Sequence, residues 1–197
     1  MSLRPPDLED RFSALFDKIS SERFLAKVAV GNEVPFFISA YDPRHHYAVM
    51  EAVGRLTRKL TSAGVEVLTL ELYRICMDYF ASEGLTDAIA TLEKDGDYEA
   101  LQEAVVSALD WDSVLAPRIA ERFAERPQAR VTFVTEIGQV YPYLRSGELL
   151  NRMQVIAKDT PTVFFYPGAY DQRTIKLFGE IESEHYYRAF NLADYRV

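Results

Sequence analysis

Side chains suited to binding occur together at three points of this 197-residue sequence. Tyrosine and arginine recur among them, and these are the residue types that protein interfaces favour. The candidate interaction residues are Asn32, Glu33, Tyr141, Tyr143, Arg145, Tyr170, Asp171 and Arg173. We interpret these positions as a candidate interface.

The same residues also admit structural roles, and the sequence leaves that alternative open. Tyr141 and Tyr143 could cover the end of a sheet while Arg145 pairs with a nearby carboxylate. Asp171 suits the N-cap of a following helix, because its carboxylate can accept a free backbone N–H. Capping or turn formation is also the simpler interpretation of positions 32 and 33.

The sequence lacks the motifs of the common hydrolases. No glycine is followed by lysine, as a P-loop requires, and no Gly-x-Ser-x-Gly string presents a serine nucleophile. An enzyme hypothesis would use Glu33, Glu136 or Asp171 as a general acid or base for metal-dependent hydrolysis of nucleotide or DNA. We assign no catalytic residue, and whether the protein is an enzyme stays open at this point.

Histidine and cysteine indicate no metal site. His45 and His46 are adjacent, so on a helix their side chains point about 100° apart and cannot both face one ion. Cys76 is the single cysteine and falls on the expected apolar face of a helix, which favours a buried thiol over a nucleophile. The sequence predicts no metal and no other cofactor.

Charge is distributed unevenly along the chain. Residues 71–110 carry ten acidic side chains against two basic ones, which accounts for the whole net charge of −8. The remainder is neutral and has no run of lysine or arginine, so non-specific binding to nucleic acid is not expected. Direct DNA contact is an alternative that would use Arg118, Arg122, Arg126 and Arg130.

Length and hydropathy predict one domain over residues 1–197. No apolar stretch has the length of a signal peptide core or a transmembrane helix. A single cysteine is compatible with a reducing compartment. We therefore expect a cytoplasmic protein that makes no membrane contact.

Short runs of β-branched and aromatic residues predict an α/β fold with a five-stranded, mostly parallel sheet and helices on both faces. The predicted strands are residues 34–40, 65–70, 131–135, 162–166 and 186–192. Residues 71–126 show no strand pattern, so they predict a helical, acidic insertion between the second and third strands.

Helices are predicted before and between these strands. Residues 7–26 and 43–63 have helical apolar spacing, with Asp42 as the N-cap and Gly64 as the C-cap of the second helix. Residues 136–145 should be irregular, and a helix should begin near Ser146. Pro167 and Gly168 predict a turn, and residues 171–178 predict a short helix that ends at Gly179.

Several separated strings resemble one known family. They are residues 31–37, 41–43, 140–145 with 149–151, 165–168 with 170–171, 177–179, and 186–190. Together, and in this order, they resemble the BrxB family, a component of BREX (bacteriophage exclusion) systems. The resemblance extends over nearly the whole chain.

The resemblance implies a role in phage defence and partners from the same operon. Such operons also encode a large ATPase, a DNA adenine methyltransferase and an alkaline-phosphatase-like protein of the PglZ type. The resemblance implies no known reaction and supplies no catalytic residues. It favours a non-catalytic adaptor that binds the PglZ-type protein or the ATPase, with DNA contact or hydrolysis as alternatives.

Overall fold

The structure, a computed structural model, describes residues 7–26, 36–157, 160–171, 174–183 and 189–196. The central strands are β1 (Phe36–Tyr41), β2 (Val67–Glu71), β3 (Val131–Thr135) and β4 (Thr162–Tyr170). The shorter strands are β5 (Ile175–Leu177), β6 (Ile181–Ser183) and β7 (Phe190–Asn191). A parallel sheet has the order β2-β3-β4-β1-β7, and β5 and β6 extend β4 as an antiparallel hairpin.

Helices pack on both faces of the sheet. They are α1 (Leu8–Ser20), α2 (Glu22–Leu25), α3 (His46–Ser62), α4 (Leu72–Ser82), α5 (Thr86–Asp95), α6 (Tyr98–Ala108), α7 (Ala116–Glu125) and α8 (Ser146–Ile156). The connection from β1 to β2 runs in the opposite direction along the sheet from the next two connections. Right-handed crossovers therefore place α3 on one face and α4 to α8 on the other.

Two hydrophobic cores result from this arrangement, one on each face of the sheet. Phe37 and Phe165 point into the core with α1 and α3. Their neighbours Ile38 and Phe164 point into the core with α4 to α8. Because successive side chains of a strand alternate between faces, strands buried on both sides must be apolar throughout. The predicted fold class is confirmed.

Several local predictions are confirmed. Strand β3 has the predicted bounds, and α8 begins at Ser146. The backbone N–H of Arg44 donates to Asp42 Oδ1 at 3.0 Å, so Asp42 caps the turn that leads into α3. Gly64, with φ of +83°, follows the end of α3. These features depend on neighbours in sequence, which is why the sequence predicts them.

The segment after residue 166 corrects two predictions. Pro167 and Gly168 continue β4 instead of forming a turn, and the predicted helix over residues 171–178 is wrong. Ile175 and Leu177 are buried while Lys176 between them is half-buried, which is a strand pattern of period two. The backbone of β4 supplies the partner for this strand, and only the tertiary structure brings the two together.

The other predicted elements differ less. The first helix is interrupted at Ser21, whose side chain caps α2 by accepting from the N–H of Phe24 at 3.3 Å. The fifth predicted strand is observed only as Phe190–Asn191, and residues 184–188 lie outside the described residues. Among the described helices, none combines the length and apolar character that crossing a membrane requires.

Candidate functional site

Residues 136–145, which we call the crest, connect β3 to α8 at the carboxyl end of the parallel sheet. The segment leaves β3 at Glu136, whose φ is +63°, and continues as a 3-10 turn over Ile137–Val140. The peptide bond between Tyr141 and Pro142 is cis. Open α/β sheets bind ligands and partners at the carboxyl ends of their strands, so the crest occupies the expected place for a site.

Glu136 has a structural partner. Its Oε2 accepts the backbone N–H of Arg74 at 3.0 Å, in the first turn of α4. A carboxylate at a helix N-terminus satisfies a free N–H and is favoured by the helix dipole. This contact ties the crest to α4 and gives Glu136 a role that requires no chemistry.

The crest presents its candidate interaction residues in two ways. Tyr141 and Tyr143 are half-buried and pack against the core beside α4 to α8, so they cover the sheet end as the structural alternative proposed. Arg145 is exposed, and within the described part of the chain its guanidinium has no hydrogen-bond or ion-pair partner. The predicted pairing of Arg145 with a carboxylate is therefore not observed there.

The candidates beyond β4 have structural contacts. Tyr170 is 9% exposed, and its hydroxyl donates to the carbonyl of Ala189. Asp171 Oδ1 accepts the N–H of Thr174 at 2.7 Å, so Asp171 closes the turn between β4 and β5 instead of capping a helix. Asn32, Glu33 and Arg173 lie outside the described residues.

Phe178 is a surface residue that the sequence did not single out. It lies in the turn between β5 and β6, has φ of +55° and is 42% exposed. A Cβ built on Gly138 would lie 2.8 Å from Phe178 Cε1 and 2.9 Å from Pro167 Cγ, so the ring rests directly on the crest. The crest and the hairpin of β5 and β6 thus form one continuous surface.

The only sequence signal for Phe178 is that an aromatic residue directly precedes Gly179. We interpreted that glycine as the end of a helix. In the structure both residues have positive φ, and the N–H of Glu180 donates to the carbonyl of Leu177 at 3.1 Å. Consecutive positive φ values are typical of mirror-image hairpin turns. Ile181, which is 37% exposed, adds a second apolar side chain to this turn.

The arginines considered for DNA contact are partly paired with the acidic helices. Arg118 lies 3.6 Å from Glu83 and stacks over the ring of Tyr79 at 4.3 Å from its centroid. Arg122 lies 3.6 Å from Asp78. Arg118 and Arg122 thus lie beside acidic side chains of the helical insertion, and this negative charge makes the two arginines less suited to binding phosphates.

The structure describes no cluster of three or more histidine, cysteine, aspartate or glutamate side chains that could hold a metal. His46 is half-buried, and its Nδ1 lies 2.9 Å from the hydroxyl of Tyr41. His45 lies in the preceding 3-10 turn. His46 thus contacts Tyr41 at the carboxyl end of β1.

Cys76 is 2% exposed on α4. Burial, with a smaller contribution from the charge of Glu136, raises the pKa of its thiol to about 12. We expect the folded chain at pH 8 to react with a disulfide reagent more than about 100-fold more slowly than the urea-unfolded chain, because the thiolate is the nucleophile. Absorbance of the released thiol measures both rates, and equal rates would contradict the buried position.

Comparison with known families decides the family of this chain. The model of the family described as "BREX protein BrxB" matches residues 68–192. The chain belongs to the BrxB family. The match includes the crest and the hairpin, and the resemblance drawn from separated strings is confirmed.

Two relatives, each named "BREX protein BrxB", are similar to nearly the whole chain. The relative from Bacillus cereus (strain H3081.97) is 28% identical over 189 residues, covering 95% of this chain and 98% of its own length. The relative from Escherichia coli O9:H4 (strain HS) is 29% identical over 187 residues, covering 95% and 92%. No solved structure matches the chain. Membership of the family makes this protein a component of a BREX system.

Proposed function

We propose that this BrxB family member is a non-catalytic adaptor that binds other BREX proteins through the surface formed by the crest and the β5–β6 hairpin. The observation that carries the proposal is the positive φ of Phe178 together with the exposure of its ring. A bulky residue at positive φ costs roughly 1–2 kcal/mol, which offsets most of what the partly buried ring gains from its contact with the crest. Glycine or asparagine would avoid this strain at the turn position.

Backbone strain of this kind is found where function requires a side chain in one place. Phe178 rests on Gly138 near the start of the crest, and exposed Arg145 is the last residue of the same segment. Aromatic residues and arginine together dominate the energetics of protein interfaces. The rigid support from Gly138 and Pro167 lowers the entropy that the ring would lose on binding. These properties support a partner-binding surface.

The partner that we propose first is the PglZ-type protein of the same operon, and the second is the large ATPase. Support comes from the family, because the genes of BREX proteins lie in one operon. The contacts of Glu136 and Asp171 also favour binding over catalysis, since both carboxylates hold neighbouring backbone in place.

The experiment measures complex formation by size-exclusion chromatography with light scattering, with the chain alone and mixed with each partner. We expect the Tyr141→Ala/Arg145→Ala variant to bind at least about tenfold more weakly, because it removes two contact side chains. Its melting temperature should fall by only about 3 °C, because Arg145 is exposed and Tyr141 is only partly buried against the core. Arg145→Ala alone should weaken binding without any loss of stability.

A matched control removes the same residue types elsewhere. Tyr98 on α6 is 69% exposed, and Arg126 after α7 is exposed. The Tyr98→Ala/Arg126→Ala variant should bind as tightly as the unaltered chain. If both double variants weaken binding equally, the crest is not the interface. If the unaltered chain binds neither protein, the adaptor proposal fails.

A further inference from the structure

A pocket with a volume of about 460 Å³ lies between α1 and the carboxyl end of the β1–β7 pair. We call it the α1 pocket. Residues that line it include Arg11, Lys18, Ser39, Ala40, Asn191 and Ala193. It lies on the sheet face that carries α1 and α3, whereas the crest packs with the helices of the other face. A ligand site in the α1 pocket would therefore be separate from the crest and independent of the proposed adaptor function.

Two cations reach into this pocket from one face of α1. Arg11 and Lys18 are seven residues apart, which is nearly two helical turns. Arg11 Nη2 donates to Ser39 Oγ at 3.0 Å and to the carbonyl of Ala40 at 2.5 Å. Lys18 Nζ donates to the carbonyl of Leu192 at 3.0 Å and to that of Ala193. Both charges are thus held at the same end of the β1–β7 pair.

Neither cation has a counter-ion within the described part of the chain. Their acceptors are a hydroxyl and three carbonyls, and none of the described residues that line the pocket is acidic. Burial lowers the pKa of Arg11, and the charge of Asp7 one turn earlier offsets only part of this effect. Asp7 forms no ion pair with Arg11 in the structure.

A half-buried guanidinium whose acceptors are all neutral is less well stabilised than one paired with a carboxylate, because its charge has lost water without gaining an opposite charge. The contacts of Arg11 use Nη2, so Nε and Nη1 are left as donors. Lys18, which also lines the pocket, adds a second positive charge. An external anion would accept hydrogen bonds from the remaining N–H groups of Arg11 and Lys18.

We propose that the α1 pocket binds a small molecule that carries a phosphate group. The remaining N–H groups of the guanidinium and of the ammonium can each donate a charge-assisted hydrogen bond to a phosphate oxygen, and two positive charges match the two negative charges of a phosphate dianion. The carboxyl end of a parallel strand is where α/β sheets hold such ligands. The volume of the pocket is within the range that small-molecule sites occupy.

The test is calorimetric titration of the full chain with inorganic phosphate at constant ionic strength, with chloride as the balancing anion. We expect saturable binding with one phosphate per chain. Arg11→Gln and Lys18→Gln should each weaken it at least about tenfold, because each removes a charge-assisted hydrogen bond. If Arg11→Gln does not fold, Lys18→Gln still tests the site, because among the described residues Lys18 donates only to the carbonyls of Leu192 and Ala193.

Arg58→Gln is the matched control, because Arg58 is an exposed arginine on α3 that does not line the pocket. It should leave phosphate binding unchanged. Equal weakening in this control, or heat that never saturates, would show general charge screening and overturn the proposal. Acetate that binds as tightly as phosphate would overturn the assignment to phosphate.

A second titration uses adenosine 5′-monophosphate in place of inorganic phosphate. Tighter binding of the nucleotide would support a phosphate ester that fills the rest of the pocket. Equal binding would support free phosphate as the ligand. Absence of binding by both probes would contradict the site, while leaving the adaptor proposal untouched.

Discussion

Gly168→Ala is expected to lower the free energy of unfolding by about 3 kcal/mol, because it combines backbone strain with overpacking. Gly168 has φ of +151°, and a Cβ there would lie 2.0 Å from the carbonyl oxygen of Lys176 and 3.0 Å from the N–H nitrogen of Phe178. Both contacts are with backbone that cannot rotate away. The β5–β6 hairpin would have to separate from β4.

Urea denaturation of Gly168→Ala measures this loss, with Gly96→Ala as the control. Gly96 follows α5 with φ of +73°, and nothing lies within 4 Å of a Cβ built there. The control should therefore lose only about 1 kcal/mol, the cost of a left-handed residue with a side chain. Equal losses in both variants would show that close packing at Gly168 is unimportant. Gly168→Ala should also lose partner binding, because it displaces the hairpin that carries Phe178.

Phe178→Asn is expected to weaken partner binding by about 30-fold, which corresponds to about 2 kcal/mol for a buried interface aromatic. The variant should keep its stability within about 0.5 kcal/mol, because asparagine tolerates positive φ and offsets the lost contact of the ring with the crest. Binding and stability thus change independently at this position. That separation distinguishes an interface residue from a packing residue.

The measurement pairs calorimetric affinity for the PglZ-type protein or the ATPase, whichever forms a complex, with urea denaturation of each variant. Val155→Asn is the control, since Val155 is 79% exposed near the distal end of α8. It removes a similar apolar surface outside the crest and should not change affinity. Unchanged affinity in Phe178→Asn would exclude the hairpin turn from the interface. A large loss of stability would show that the ring is needed for folding.

The two surfaces, on opposite faces of the sheet, are suited to different kinds of ligand. The crest and hairpin carry a strained aromatic, Phe178, and exposed Arg145, and these residue types suit a macromolecular partner. The α1 pocket holds half-buried Arg11 and Lys18, which suit a small anion. Variants at Phe178 and at Arg11 should therefore affect only their own ligand, provided that each folds.

The sequence determined the features that depend on neighbouring residues. The run from Val131 to Thr135 is apolar or β-branched throughout, so it predicted β3 with its observed bounds. Asp42 followed by Pro43 predicted the start of a helix, because a carboxylate and a residue without an N–H suit that position. The separated strings likewise determined the family, since a family resemblance needs no coordinates.

Only the tertiary structure decided the candidate sites. Ile175 to Leu177 is too short for its alternation to indicate a strand, and β4 supplies the backbone partner that makes it one. Apart from the glycine that follows it, the sequence does not mark Phe178, because its φ and its contact with Gly138 depend on how the hairpin meets the crest. Arg11 and Ser39 are 28 positions apart, and helix–sheet packing alone brings them into hydrogen-bond contact. Contacts between distant segments are set by the whole fold, which local patterns do not encode.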